Sequence, residues 1–405
     1  MNPCRFHHQS GSWFVAALLI STPIASAATV TWDGDTSANW SDAGNWNAAP
    51  VNNDNLTFSG TGNQTNANDA GITSIGTLTL SNAGWDIDLG ASPVVVNGIV
   101  ATDSSSISGT ANMTNASSRT ITLNGTGSTL ALEGLILGRV NNVTTLNVNG
   151  AGNLLSLGSL QLNNGGGGNN SRTINAVANV TVSGNVTQSG NMPSVTKTGS
   201  GTLTFNGTST YTGATNVDDG TLLINGDSSA ATGSVTVGSN GTLGGIGMIG
   251  GATTVNGSLA PGSTGAGKLN FEDALTLAGT VVMQVNGLGA GNFDLVALNG
   301  LGAAGLLTYG GAMTLDIGSV FSQGDSWDLF DFDGETGTFS SITLTGTVSG
   351  SLSDGNADGV WEYASGSDLW TFDESSGVLA ITAIPEPRAA LLGAFGTLLL
   401  LRRRR

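Results

Sequence analysis

A chain of 405 residues with a formal net charge of −17 contains 63 glycines, one cysteine and two histidines. Because Cys4, His7 and His8 lie close to the N-terminus, the rest of the chain has no thiol and no imidazole. This excludes disulfides, Cys/His zinc sites and Ser-His or Cys-His nucleophile pairs. Between Ala28 and Ile384, 27 acidic residues outnumber five basic ones, so no nucleic-acid partner is expected.

Residues 1–27 have the pattern of a signal peptide. Arg5 supplies a positive charge, residues 13–20 form a short apolar core, and Ala25 and Ala27 fit the small-residue pattern of a cleavage site. We therefore expect an exported protein whose mature chain begins at Ala28. An uncleaved N-terminal anchor is the alternative.

Residues 28–60 form a tryptophan-rich segment that also carries several acidic residues. Trp32, Trp40 and Trp46 lie within fifteen residues of one another. One interpretation is a cap, because the end of a stacked repeat exposes apolar surface that must be covered. The other is a platform on which sugar rings stack. A cap requires buried rings, whereas a platform requires exposed and coplanar ones.

Residues 61–262 contain a repeat. Gly-Thr-Leu occurs at 201–203, 220–222 and 241–243, with steps of 19 and 21 residues, and Asn-Gly turns separate short runs of alternating β-forming residues. A period near 20 residues predicts an all-β solenoid of about 11 coils, in which each coil buries its apolar face against its neighbours. An antiparallel sandwich is the alternative. Six side chains are expected to point inward: Leu203, Phe205, Leu222, Ile224, Val235 and Val237.

The segment 195–226 resembles the autotransporter-associated β-strand repeat. It contains KTG at 197–199, GTLT at 201–204, YTG at 211–213 and GTL at 220–222. The resemblance implies a right-handed parallel β-helix (β-solenoid) of the kind found in surface-exposed passenger domains. A true autotransporter ends in a membrane β-barrel. This chain ends in a different kind of segment, so self-secretion is not implied.

Residues 263–383 carry more aromatic and acidic residues, as in GDSWDLFDFDGETGTF at 324–339. We expect a separate C-terminal β segment, which is either a sandwich or an end cap of the solenoid.

A possible calcium loop lies in this segment. Asp354, Asn356 and Asp358 match the start of a D-x-N-x-D-G calcium loop, and Glu362 stands at the ninth position. Their oxygen atoms could converge on Ca²⁺, which is the one cofactor that the sequence suggests. The twelfth position is Ser365 and no helices flank the loop, so a plain Asp/Asn-Gly turn is the alternative.

A run of acidic residues between 325 and 335 could hold a cation or supply paired carboxylates for glycoside hydrolysis. A solvated acidic face is the simpler interpretation, and lyase chemistry would also need a basic group, of which the chain has few. We therefore expect no enzyme, with a polysaccharide-cleaving β-helix enzyme as the alternative. The run consists of Asp325, Asp328, Asp331, Asp333 and Glu335.

Residues 384–405 have the order of a sorting signal: Pro-Glu-Pro, an apolar run and terminal arginines. The thirteen residues 389–401 are predicted to form a terminal hydrophobic helix, short against the roughly 20 residues of a permanent span, that enters the inner membrane transiently. The arginines would stay cytoplasmic. An ordinary C-terminal anchor is the alternative. The predicted signal residues are Pro385, Glu386, Pro387, Arg402, Arg403, Arg404 and Arg405.

This order of features resembles the PEP-CTERM sorting signal of Gram-negative bacteria. The resemblance implies processing by an exosortase-type protease and delivery to the cell envelope, the outer surface or the extracellular matrix. We expect a structural or adhesive role in which repeated polar faces contact extracellular polysaccharide through many weak contacts. A carbohydrate-binding protein built on the tryptophans is a further alternative.

Overall fold

The computed structural model describes residues 27–114, 116–138, 144–164, 170–298 and 306–384. The predicted signal peptide up to residue 26, the sorting signal and the terminal hydrophobic helix lie outside the described residues. Within the described part the chain is built of strands, and the single helical element is a 3₁₀ turn, Ala43–Asn45.

The strands are short and follow one another closely. The first group is β1 (Thr29–Trp32), β2 (Asn55–Phe58), β3 (Thr65–Ala67), β4 (Ser74–Leu80), β5 (Asp86–Asp88), β6 (Val94–Ala101), β7 (Ser105–Thr114), β8 (Ser118–Leu123) and β9 (Thr129–Gly138). The second group is β10 (Thr144–Asn149), β11 (Leu154–Leu157), β12 (Leu160–Asn164), β13 (Ser171–Ala176), β14 (Asn179–Val182), β15 (Val186–Gly190), β16 (Ser194–Thr198), β17 (Thr202–Phe205), β18 (Thr215–Ile224), β19 (Asp227–Ser228), β20 (Val235–Gly245), β21 (Met248–Ile249), β22 (Thr253–Val255) and β23 (Ser258–Pro261). The third group is β24 (Lys268–Phe271), β25 (Leu275–Leu277), β26 (Thr280–Val285), β27 (Leu295–Ala297), β28 (Leu306–Tyr309), β29 (Ala312–Ile317), β30 (Ser326–Asp328), β31 (Phe330–Asp331), β32 (Gly334–Gly337), β33 (Ser341–Gly346), β34 (Gly350–Leu352), β35 (Val360–Ser365), β36 (Asp368–Asp373) and β37 (Val378–Ala383).

The strands stack into a parallel β-solenoid of about 12 turns, as predicted. Three parallel ladders run side by side, and one coil contributes a strand to each, as β10, β11 and β12 do. Several long strands turn a corner and take part in two ladders, among them β6, β7, β9, β18 and β20. Because every coil pairs with the coils before and after it, backbone groups of the inner strands are satisfied between coils.

The interior of the solenoid is filled by aligned aliphatic side chains. The six residues predicted to point inward are all buried, which confirms the two-residue alternation. Burial of one aliphatic side chain of this size contributes about 1.5–3 kcal/mol to folding. In the second ladder the pairing register places ten such residues in one column: Leu130, Leu155, Val180, Leu203, Leu222, Leu243, Leu259, Val281, Met313 and Ile342.

The tryptophan-rich segment covers the N-terminal end of the solenoid. Trp32, Trp40 and Trp46 are buried, with the Trp32 and Trp46 rings edge to face at 4.9 Å. The Trp40 indole N–H donates to Asn66 Oδ1 at 2.7 Å. This is the arrangement of a cap. The sugar-platform interpretation is wrong for these three rings, because burial leaves no ring face for a sugar.

The outer edge of β1 is bonded by this cap. The amide N–H of Asn47 donates to the Thr31 carbonyl oxygen at 3.1 Å, and the Thr31 N–H donates to Asn47 Oδ1 at 2.9 Å. Trp32 and Trp46 form an antiparallel bridge beside them. A parallel strand edge that would otherwise be open to pairing is therefore covered.

Parallel pairing crosses the boundary that we predicted at residue 262. β23 pairs with β26, β26 with β29, and β29 with β33, all in parallel register. The coils therefore run on to Gly346 instead of ending near Pro261. The reason is that the interior column continues as Val281, Met313 and Ile342 although the Gly-Thr-Leu signature is lost.

The change of architecture comes at the C-terminal end, where pairing becomes antiparallel. β33 pairs with β34, and a separate four-stranded sheet has the order β30, β37, β36, β35. Trp327 and Trp370 lie parallel with their centroids 6.2 Å apart, and Phe372 packs edge to face on Phe330 of the last coils. These strands cap the solenoid, and the aromatic enrichment of the sequence reflects that packing.

Candidate binding groove and buried charged groups

A concave groove follows one corner of the N-terminal coils. It is wide open to solvent and offers room of about 380 Å³, which is near the lower end of the range of ligand sites. The groove follows the direction in which the coils stack, because its lining residues come from successive coils. Those residues are Asp86, Ser106, Ile107, Ser108, Ala131, Leu132, Glu133, Ser156, Gly158 and Ser183.

The strand register explains why this corner is concave. Asp86 pairs with Ser106, Ser106 with Ala131, and Ala131 with Ser156, so these residues form one outward-facing column. Three of the four side chains are small. The register between β7 and β9 shifts after Ile107, where both strands turn into the third ladder. Small side chains at a turning corner leave a trench between two sheet faces.

The polar groups of the groove are hydroxyls and carboxylates. Ser106 Oγ donates to Asp86 Oδ1 at 2.9 Å, and the Gly109 N–H donates to Glu133 Oε2 at 2.6 Å. Asp86 and Glu133 are both exposed. No lysine or arginine is among the lining residues. The groove therefore presents negative charge and hydrogen-bonding groups to a ligand.

A second groove lies over the second ladder. Thr202, Thr221 and Thr242 face outward in one column, because β17 pairs with β18 and β18 with β20 in that register. The turn at 262–265 forms one wall. This column of hydroxyl groups is the outward face that the repeated Gly-Thr-Leu of the sequence produces.

Three of the four basic side chains in the described part turn into the solenoid and bond backbone carbonyls. Arg119 Nη2 donates to the Thr114 oxygen at 2.7 Å, and Arg172 Nε donates to the Asn163 oxygen at 2.9 Å. Burial lowers the pKa of both arginines. The fourth, Lys268, is exposed. Sequence reasoning did not identify this role for the two arginines.

Lys197, which lies in the repeat, also donates hydrogen bonds to backbone carbonyl oxygens. Its Nζ donates to the carbonyl oxygens of Thr198 and Asp219 at 3.0 Å each and, by a further short bond, to that of Gly199. Burial lowers its pKa to about 8, partly offset by the charge of Asp219. The lysine of the KTG motif thus ties one coil to the next through backbone oxygens.

Two buried carboxylates were also missed by sequence reasoning. Asp294 accepts hydrogen bonds from the backbone N–H groups of Gly267 and Gln284 at 2.7 Å each, and burial raises its pKa to about 6. Glu374 accepts from the Phe339 N–H at 2.7 Å and from Thr338 Oγ1 at 3.0 Å, and burial raises its pKa. Glu374 thereby joins the C-terminal cap to the chain that follows the last coil. Neither residue belongs to a sequence motif.

The predicted calcium loop is held by its own hydrogen bonds. Asp354 accepts from the N–H groups of Asp358 and Gly359, and Asp358 accepts from Val360 N–H and from Asn356 Nδ2. Among the residues with described placement, no group of three or more His, Cys, Asp or Glu side chains could hold a metal ion. A hydrogen-bonded turn accounts for the loop, whose fourth predicted ligand, Glu362, bridges to Ser353 through its backbone. Calcium binding here stays a prediction.

The acidic run at 325–335 is divided among several elements of the C-terminal end. Asp328 ends β30, Asp331 ends β31, and Glu335 lies in β32. Asp325 accepts a hydrogen bond from the Ser322 N–H at 2.8 Å. Burial, together with nearby Asp331, raises the pKa of Asp328. The run is thus part of the junction between coils and cap.

Of the predicted processing residues, Ala27 alone falls in the described part, where it is exposed; Ala25 and the predicted sorting signal lie outside it. No helix among the described residues combines the length and the apolar character that a membrane crossing requires.

Comparison with known proteins gives one local similarity. No curated protein matches the chain significantly. Residues 195–224 match the family model described as the passenger-associated transport repeat. This match fits the predicted autotransporter-associated repeat, and its segment contains Lys197, most of β16, and strands β17 and β18. The repeat and the solenoid together suggest an exported, passenger-like surface protein.

Proposed function

We propose that this chain is a non-enzymatic structural or adhesive protein at the surface of a Gram-negative bacterium. The observation that carries the proposal is the solenoid itself, whose outward columns repeat the same polar groups coil after coil beside a passenger-associated repeat at 195–224. Repeated identical faces suit many weak contacts, whose combined strength exceeds that of any single contact. Extracellular polysaccharide is the proposed partner.

The proposed delivery route uses the PEP-CTERM-like segment and an exosortase-type protease. The experiment compares surface display of the full chain with that of a chain truncated after Ala383. Display of the full chain with loss of display in the truncation supports the route. A Glu386→Gln variant, which keeps the apolar run and the arginines, is the matched test of the motif. Equal display of truncated and full chains would remove the sorting proposal.

A polysaccharide-cleaving enzyme remains the competing function, favoured by the two carboxylates, Asp86 and Glu133, in one groove. Incubation of the full chain with exopolysaccharide would decide between the two. Release of new reducing ends that stops in a Glu133→Gln variant would establish the enzyme. Binding without release supports the adhesive role.

A further inference from the structure

We propose that the concave corner groove binds a linear polysaccharide that carries protonated amino groups, with the sugar chain lying along the solenoid axis. This inference rests on the proposed function and names the ligand class for one site of it. The groove is lined from Asp86 to Ser183 by residues of five successive coils, a span of about 19 Å at the spacing of neighbouring strands.

The direction of the groove favours an extended sugar chain. Hydroxyl groups recur along its length at Ser106, Ser156 and Ser183. Neighbouring strands are about 4.8 Å apart, which is close to the length of one pyranose unit in an extended glycan. Each coil can therefore meet one sugar ring, and a hexasaccharide covers the groove.

The charge of the groove selects the class of sugar. Its two charged lining residues are carboxylates, and three of the basic side chains in the described part are turned inward to backbone carbonyls. A uronic acid polymer would meet repulsion here and from the acidic surface as a whole. An ammonium group on the sugar can instead donate to Asp86 or Glu133 in a charge-assisted hydrogen bond.

The absence of an aromatic ring from the lining residues predicts a weak site. Ser106 and Ala131, in the middle of the outward column, are half-buried. Binding then depends on hydrogen bonds and charge, so affinity should fall with added salt. Many such proteins side by side would still hold a polymer firmly.

The test measures binding of three hexasaccharides to the full-length chain at pH 6: glucosamine, N-acetylglucosamine and galacturonate. We expect glucosamine hexasaccharide to bind about tenfold more tightly than the acetylated form, because a few exposed charge pairs together give about that factor. Asp86→Asn and Glu133→Gln should each weaken glucosamine binding about threefold. Ala131→Arg should abolish it.

Two control variants each remove one negative charge from an acidic residue outside the groove. Asp218→Asn and Glu272→Gln change exposed acidic residues on other coils, and their affinity should equal that of the parent chain. Equal losses in the control and groove variants would show general attraction to an acidic protein and overturn the site. Tighter binding of galacturonate would overturn the ligand class.

The two proposals fail separately. Normal surface display and cell adhesion with unchanged glucosamine binding in Asp86→Asn and Glu133→Gln would overturn the groove site and leave the adhesive function standing. Loss of groove binding in these variants while full-length chains never reach the surface would overturn the proposed function and leave the site standing. Circular dichroism of each variant, Ala131→Arg included, establishes that the solenoid is still formed.

Discussion

At the scale of single residues, buried basic side chains donate hydrogen bonds to backbone carbonyl oxygens at the turns of the solenoid. In other turns, ordered water or a capping side chain supplies such hydrogen bonds. Three carbonyl oxygens from two coils converge on Lys197 Nζ. A buried carbonyl without a donor costs about 1–3 kcal/mol. The KTG motif therefore matters for stability. Alternation places Lys197 on the same inward face as Val195, but a charged residue is not expected in an apolar interior, so its role was not predicted.

Replacement of Lys197 by methionine should lower the free energy of unfolding by about 1–3 kcal/mol, because three buried carbonyls lose their donor. The parent chain should also become more stable as pH rises from 8 towards 10. In that range the unfolded lysine, with an ordinary pKa of 10.5, binds more protons than the folded one, whose pKa is about 8. Urea denaturation across this pH range measures both effects.

In Lys197→Met the rise in stability between pH 8 and 10 should be absent. Lys268→Met removes an exposed lysine and is the control; it should keep the parent's pH dependence. A Lys197→Met chain with the parent's stability and the parent's slope would contradict the role assigned to this side chain.

Comparison of Gly220 with Gly127 distinguishes the cost of backbone strain from the cost of steric crowding. Gly220 and Gly127 both have φ of 68°. A Cβ on Gly220 would lie 2.6 Å from the Gly201 oxygen, 2.7 Å from Lys197 Nζ, and closer still to the Gly199 oxygen, whereas nothing lies within 4 Å of a Cβ on Gly127. Gly220 therefore belongs to the repeat because neighbouring coils leave no room for a side chain.

Alanine at position 127 should cost about 1–2 kcal/mol, the cost of the left-handed conformation alone. Alanine at position 220 should cost about 3–5 kcal/mol, because crowding against backbone adds to that strain. Thermal unfolding of the two variants gives the comparison. Equal losses at both positions would mean that the coils can move apart at no cost.

At the scale of elements, the sequence was sufficient for the repeating coil and insufficient for its extent. Leu203 and Leu222 stack with a step of 19 residues, and both were predicted to be buried because the alternation is regular there. Val281 and Met313 stack with a step of 32 residues. Loops of variable length break the period without breaking the pairing, so the later coils could not be predicted from spacing.

The groove could not be predicted for a related reason. Asp86, Ser106, Ala131 and Ser156 are ordinary residues, separated by 20, 25 and 25 positions. Only the pairing register brings them into one column. Conversely, the Asp354 loop has a recognisable motif, yet its oxygens accept hydrogen bonds within the loop. Local spacing identified the turn, and tertiary register produced the candidate site.

The N-terminal cap offers a test with a matched control. Trp40 and Trp85 are both buried, but the Trp40 indole N–H bonds Asn66, whereas that of Trp85 has no hydrogen-bond partner in the described structure. Both substitutions to phenylalanine remove similar volume. Trp40→Phe should cost about 1–3 kcal/mol more than Trp85→Phe, because it leaves the buried Asn66 oxygen unpaired.

Amide hydrogen exchange shows which strands are destabilised by Trp40→Phe. In Trp40→Phe, faster exchange should be confined to β1, β2 and β3, the strand that contains Asn66, because contacts in a solenoid extend only to neighbouring coils. Strand β20, in the middle of the rod, should exchange as in the parent. Equal costs for the two tryptophan variants would show that the Asn66 bond contributes nothing.

At the scale of the whole molecule, the main electrostatic feature is the large excess of negative charge. The region between Ala28 and Ile384 carries 27 acidic and five basic residues, and three of those basic side chains are turned inward. Negative groups therefore repel one another along the surface of the rod. The folded chain holds these charges closer together than the unfolded chain does.

Unfolding temperature should accordingly rise with salt, by several degrees between about 10 mM and 150 mM NaCl, because the screening length shortens over that range. KCl should act as NaCl does. CaCl₂ at matched ionic strength is the informative comparison. A rise no larger than that of NaCl indicates screening alone, whereas a larger, saturable rise that Asp354→Asn removes would establish the calcium loop. A fall in unfolding temperature with NaCl would contradict the repulsion argument.

Both terminal coils are covered, the first by the backbone around Asn47 and the last by β34 and by Gly377, whose carbonyl accepts from Leu329 N–H at 3.0 Å. Among the described residues, the outer edges of β1, β31 and β33 are therefore already hydrogen-bonded, so copies of the protein cannot join tip to tip through these strands. The solenoid of each copy has the same length, about 57 Å for 12 turns. A surface layer in which these solenoids stand upright would have the thickness of one solenoid at any packing density. Insertion or deletion of whole turns would change that thickness.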